Sequence, residues 1–155
     1  MSTVRPYRGG VAASTIQFMG DWHTIWPAAE LRPGQVVEVS WEGEDLLLYR
    51  LASGQCRVIT GYCPHMNNYI PNALPEGAEL SKLLEGDQIS CPWHGWLFDG
   101  EGRCTHVPTG QRVPAVVAKG WRIARCWQVR EQGAHIQIGP ELKRGATTAP
   151  DSAAR

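Results

Sequence analysis

The chain carries no surplus of either charge, with 15 Lys and Arg against 15 Asp and Glu among its 155 residues. Without a net field it has no whole-molecule attraction for a phosphate backbone or an anionic membrane, which argues against a nonspecific nucleic-acid binder. It has no apolar run near the roughly 18–20 residues that a membrane span needs. Its N-terminus also holds no apolar stretch of the kind a secretory leader carries. We therefore expect a cytoplasmic protein with neither a membrane nor a nucleic acid as partner. Internal repeats and a long helical repeat are missing too, and the length suits one ordinary domain with no second catalytic domain beside it.

What the chain does have points to strands. Its 17 glycines and 11 prolines divide it into short segments, as turns between strands do. In residues 35–41, Val37, Val39 and Trp41 alternate with Glu38 and Ser40, the period of a half-buried strand. Turns at 42–45 and at Ser53-Gly54 lead into strands at 46–51 and 56–60, an antiparallel meander. Further strands are predicted at 22–26, 88–90, 96–98, 121–130 and 135–138, with Asp99-Gly100 and Gln132-Gly133 as hairpin turns. A helical turn is predicted at 28–31 and a short helix at 79–84. The fold class is all-β. Residues 1–19 are expected to be a partly disordered N-terminal segment, 20–140 the domain, and the small, polar stretch 141–155 a disordered tail.

Five cysteines without a secretory leader argue for metal ligation or structural thiols over a disulfide framework. Two of them sit beside histidines. Cys63-Pro64-His65 is a Cys-x-His pair and Cys91-Pro92-Trp93-His94 a Cys-x-x-His pair, with 25 residues between His65 and Cys91. Two short loops thus each offer one thiolate and one imidazole. A single zinc ion accepts such a set. So does a [2Fe–2S] unit in which two thiolates hold one iron and two neutral imidazoles the other, which raises the potential above that of an all-cysteine site. Pro and Gly around each pair suit tight turns that aim backbone N–H groups at the sulfurs.

The run Cys91-Pro-Trp-His-Gly-Trp-Leu-Phe-Asp-Gly100, taken with Cys63-x-His65, resembles the signature of Rieske iron–sulfur proteins, most of all their ring-hydroxylating oxygenase branch. The resemblance covers roughly residues 20–140. It implies a Rieske-type fold of small antiparallel sheets, with a cluster subdomain at about 61–110 built from two hairpin loops. It implies one [2Fe–2S] cluster, with Cys63 and Cys91 on the buried iron and His65 and His94 on the outer, reducible one. It also places Pro64, Met66, Pro92, Trp93, Gly95 and Trp96 around the cluster, and Pro108 in a loop that covers it.

The function so implied is one-electron transfer from a flavin or iron–sulfur reductase to a terminal oxygenase, as a Rieske-type ferredoxin. The alternative is a detached electron-input module of a Rieske non-haem iron oxygenase whose catalytic iron lies on another chain. The remaining histidines, His23, His106 and His135, form no two-His-one-carboxylate pattern, so we expect no catalysis by this chain alone. Quinol-oxidising members carry an extra cysteine in each loop, and Ser and Tyr hydroxyls that bond to the cluster sulfurs. This chain has no cysteine near Asn68, and has Trp93, Trp96 and Phe98 in the second region. The potential is thus expected in the lower part of the roughly −150 to +300 mV Rieske range. The segment 66–90 is longer than the usual spacing and is expected to bear on partner choice. Cys56, Cys104 and Cys126 read as buried small hydrophobes. Trp22, Trp26, Trp41, Trp121 and Trp127 read as core, and Trp93 and Trp96 as shields against water.

Overall fold

Leu46-Leu47-Leu48-Tyr49 is apolar on four successive residues, a pattern that a strand with one wet face does not need. A computed structural model, which describes residues 22–146, shows the cause. The strand is covered on both sides by two different cores. It is β3 (Glu44–Arg50) of a six-stranded sheet with β1 (His23–Pro27), β2 (Val36–Trp41), β4 (Cys56–Thr60), β9 (Cys126–Gln132) and β10 (His135–Glu141). The order is β1-β10-β9-β4-β3-β2, and neighbours pair antiparallel. The His23 and Trp41 rings, on the two outermost strands, lie 4.8 Å apart between centroids. The sheet therefore curls almost to closure, as a strongly twisted antiparallel sheet does.

Inside the curl lie Ile25, Val39, Leu46, Leu48, Val58, Trp127, Ile136 and Ile138, drawn from all six strands. On its outer face Val36, Leu47, Tyr49, Ile59 and Cys126 form a second core with Cys63, Ile70, Leu83, Ile89, Cys91, Trp96 and Phe98. Each fully buried Leu or Ile contributes about 1.5–3 kcal/mol, so this second core joins a small subdomain to the curled sheet along an apolar seam. The subdomain is a four-stranded sheet, β5-β6-β7-β8, of β5 (Leu84–Glu85), β6 (Gln88–Cys91), β7 (Trp96–Phe98) and β8 (Cys104–His106). The only α-helical segment among the described residues is α1 (Ala115–Ala118).

The all-β reading and the antiparallel meander hold. Several elements differ from expectation. β8 is an unforeseen strand, because Cys104-Thr105-His106 shows no alternation; the Asp99 carboxylate shapes the hairpin before it, accepting from the N–H groups of Glu101 and Arg103 at 2.9 Å each. β9 begins at Cys126 and not at 121, since Arg122 turns its backbone to isolated bridges with Arg103 and Gly145. The helix expected at 79–84 is a 3₁₀ turn over Leu80–Leu83. The segment 66–90 is packed down, with Ile70 and Leu83 buried and a further 3₁₀ turn over Ile70–Ala73.

Structure continues past residue 140, through the end of β10 and the Arg122–Gly145 bridge. The disorder expected of 1–19 and of 147–155 concerns residues outside those described. Among the tryptophans named as core, only Trp127 is buried; Trp22, Trp26, Trp41 and Trp121 are half-exposed. Trp22 instead lies under the Arg130 guanidinium, 4.2 Å from its ring centroid. A ring this large is readily shared between core and surface.

Candidate metal centre

The two Cys–His pairs sit on two neighbouring turns at one end of the subdomain. The first turn leaves β4 and is closed by an antiparallel bridge between Tyr62 and Tyr69. The Cys63 N–H donates to the Asn68 carbonyl at 2.9 Å, and the Asn67 N–H to the Cys63 carbonyl at 2.6 Å. Asn67 adopts φ of 59°, a left-handed conformation that Asn tolerates better than most residues. The second turn joins β6 to β7, with Cys91 paired to Trp96. There the Gly95 N–H donates to the Cys91 carbonyl at 2.7 Å. Gly95 has φ of +82°, and a Cβ on it would lie 2.9 Å from Pro108 Cγ, so only glycine fits both the turn and the proline above it.

These turns sort the four side chains by depth. Cys63 and Cys91 are 2% and 1% exposed, whereas His65 is half-exposed and His94 exposed. The neighbouring Cys91 thiol, and burial, push the Cys63 thiol up, while interaction with Cys63 pulls the Cys91 thiol down. Backbone N–H groups of His65 and Met66 act to lower the Cys63 thiol, and those of Trp93 and His94 the Cys91 thiol, the effect of turns that stabilise thiolates. The imidazoles lie edge to face with centroids 4.8 Å apart. Burial, and then the neighbouring His94, hold the His65 pKa below its usual value, a shift toward the neutral form that binds metals.

A metal group fits this donor set. His65 Nδ1 is buried and has no hydrogen-bond partner, an uncommon cost for a ring nitrogen unless a ligand bond fills it. Among the described residues no three His, Cys, Asp or Glu side chains converge as one metal ion would require. Thiol beside thiol and imidazole beside imidazole fits the partition of a two-iron unit.

The surrounding residues divide unevenly. Trp96 is 2% exposed and stacks on His65 at 4.0 Å with 12° between planes. Trp93 is 43% exposed; its indole N–H donates to the Tyr69 carbonyl at 3.0 Å, tying the second turn to the first. Pro64, Met66 and Pro92 are exposed. Pro108 lies against Gly95. Cys56, Cys104 and Cys126 are buried, free thiols apart from this centre. Sequence reading missed Gln111, which bonds to both Trp96 and the His94 backbone, and the tyrosine anchors. Tyr62 donates to Asp45 at 2.7 Å and Tyr69 to Glu38 at 2.6 Å.

Curled sheet, two-turn subdomain and paired thiols and imidazoles together define an iron–sulfur protein class with mixed cysteine and histidine ligation. The profile of the Rieske [2Fe-2S] domain matches residues 21–117, and the chain belongs to that family, whose domain binds a [2Fe–2S] cluster. Cholesterol 7-desaturase nvd of Xenopus laevis is 38% identical over 96 residues, covering 60% of this chain and 19% of that protein. The oxygenase component of 3-ketosteroid-9-alpha-monooxygenase of Rhodococcus rhodochrous is 28% identical over 128 residues, covering 82% and 29%. The crystal structure of apo dicamba monooxygenase superposes with a TM-score of 0.59 at 28% identity, covering 77% of this chain and 33% of that one. The chain thus spans a third or less of these relatives, and it is related to the Rieske portion of oxygenase components. No helix among the described residues is long and apolar enough to cross a membrane.

Proposed function

We propose that Cys63 and Cys91 hold the inner iron of the cluster and His65 and His94 the outer one. We propose further that the chain is a one-electron carrier between a flavin or iron–sulfur reductase and a terminal oxygenase, acting in the cytoplasm. When bound, the cluster takes up and releases one electron. The chain's own residues do the rest. The buried thiols anchor, Trp96 excludes water from His65, and the accessible His94 edge offers the shortest way out to a partner. The single observation behind this reading is the depth order of thiols inside and imidazoles outside.

The surroundings of that edge support a docking role. The large exposed hydrophobics Met66, Trp93 and Val113 belong to the two turns and to the segment following Pro108. Neither 61–75 nor 88–98 contains a charged residue. Docking by apolar contact is expected to depend weakly on salt, unlike electrostatically steered association. The second reading, a detached electron-input module, is favoured by the relatives being oxygenase components that this chain matches over only part of their length. A carrier is exchangeable in a reconstituted assay, whereas a module co-purifies with one catalytic partner.

An EPR-monitored redox titration tests both the cluster and its use. The Tyr62 and Tyr69 hydroxyls, on the first turn, are committed to Asp45 and Glu38, and Trp93, Trp96 and Phe98 supply no hydroxyl. The expected result is a Rieske-type signal with a potential near or below about 0 mV. A high potential would return quinol oxidation to consideration, and bound zinc without iron would remove the redox role.

A further inference from the structure

Gln111 lies in no ligand motif, yet its one amide connects both imidazole-bearing parts of the site. Pro108-Thr109-Gly110-Gln111 is a tight turn closed by the Gln111 N–H donating to the Pro108 carbonyl at 3.2 Å. Gly110 supplies φ of +93° at its third position, where a type II turn needs glycine. The turn sets Pro108 over Gly95 and returns Gln111 to the second ligand turn. Its Oε1 accepts from Trp96 Nε1 at 2.9 Å and its Nε2 donates to the His94 carbonyl at 2.7 Å. This orientation of the amide is forced, because an indole N–H can only donate and a carbonyl can only accept.

Trp96 in turn stacks on His65. One amide therefore holds the His94 backbone directly and the His65 ring through the indole. Resting on the ligand assignment above, we infer that Gln111 is a positioning residue that fixes the orientation of the two imidazoles relative to each other and so sets the redox properties of the centre. Side chains that hold metal ligands from outside tune both geometry and potential. Among the described residues, no other side-chain hydrogen bond joins Trp96 to the His94 backbone. Trp93 ties only to the Tyr69 backbone, and the tyrosine hydroxyls go to the curled sheet.

The test uses purified holoprotein, with the midpoint potential and the nitrogen couplings of the reduced cluster, read by pulsed EPR, as readouts. Gln111→Met keeps the side-chain length and removes both hydrogen bonds; we expect a shifted potential and altered nitrogen couplings. Gln111→Glu keeps an acceptor for Trp96, loses the donor to His94 and adds negative charge, so its potential should fall. Thr105→Val, which removes a hydrogen bond to Gln88 on the adjoining sheet, should move neither readout. In a Trp96→Phe background the Gln111→Met shift should shrink, since the route to His65 is already cut. If Gln111→Met unfolds, Gln111→Glu carries the test. A loaded Gln111 variant with wild-type potential and couplings overturns the inference while leaving the ligand assignment standing. A wild-type protein without a Rieske signal overturns the assignment, and the inference with it.

Discussion

The two ligand turns do the same chemical job with different support. The first is held from below: its backbone closes on itself through Cys63, Asn67 and Asn68, and its tyrosines reach carboxylates of the curled sheet. The second is held from above, by Pro108 against Gly95 and by Gln111 on Trp96 and the His94 backbone. The first turn is thereby part of the scaffold, and the second depends on a separate loop. A disturbance of the scaffold should cost stability, and one of the covering loop should change the centre with less loss of fold.

The largest effect should come from removing what the turns share. Cys63→Ala or Cys91→Ala should abolish the cluster, seen as loss of iron and visible absorbance. His65→Cys or His94→Cys should instead move the centre toward all-thiolate chemistry with a much lower potential. Retention of the native spectrum in the latter pair would contradict the ligand assignment.

Glycine substitutions separate the two kinds of support. A Cβ at Gly61 would overlap the Tyr69 ring and lie 3.0 Å from the Asp45 carbonyl oxygen, so Gly61→Ala should cost about 1–3 kcal/mol in denaturant unfolding. Gly95→Ala should destabilise through its positive φ by about 1–2 kcal/mol and through its approach to Pro108. Adding Pro108→Ala relieves only the second part. If the double variant is no more stable than Gly95→Ala, Pro108 does not press on this turn.

Smaller effects follow for the anchors. Tyr69→Phe leaves Glu38 without its hydroxyl partner and should cost about 1–2 kcal/mol, with the potential nearly unchanged; a large potential shift would show that the anchor reaches the centre. The smallest concerns the Arg125–Glu141 pair, which contributes no side chain to either turn. The hydrogen bond from Arg125, offset in part by burial, holds the Glu141 pKa below its usual value. A carboxyl depressed in the folded state adds stability above its unfolded pKa and loses it as pH falls through the folded one. Glu141→Gln should therefore flatten acid destabilisation slightly below about pH 4, and an unchanged acid limb would deny the pair any net contribution, as for many exposed pairs.

Much of this was legible before the structure. The Cys-x-His and Cys-x-x-His spacings lie within tight turns, where chain geometry alone brings the members of each pair near one another. Hairpin turns at Asp99-Gly100 and near Gly133 announced themselves by residue type. The tryptophans misled because size and apolarity do not say which side of an element will be covered. Trp93 lies exposed on the second ligand turn, and Trp22 is covered by the Arg130 guanidinium and not by the apolar core. The apolar run of β3 was readable as a strand, but not as a partition between two cores.

By itself, then, the sequence determined the strand-rich class, the two donor pairs and the family, since each is written in residues a few positions apart. Only tertiary structure decided that Trp96 stacks on His65, that Tyr69 finds Glu38, and that Gln111 joins Trp96 to His94. Such contacts form between segments whose separation along the chain has no period. They are set by the packing of a subdomain against a sheet and by the need of every buried donor and acceptor for a partner.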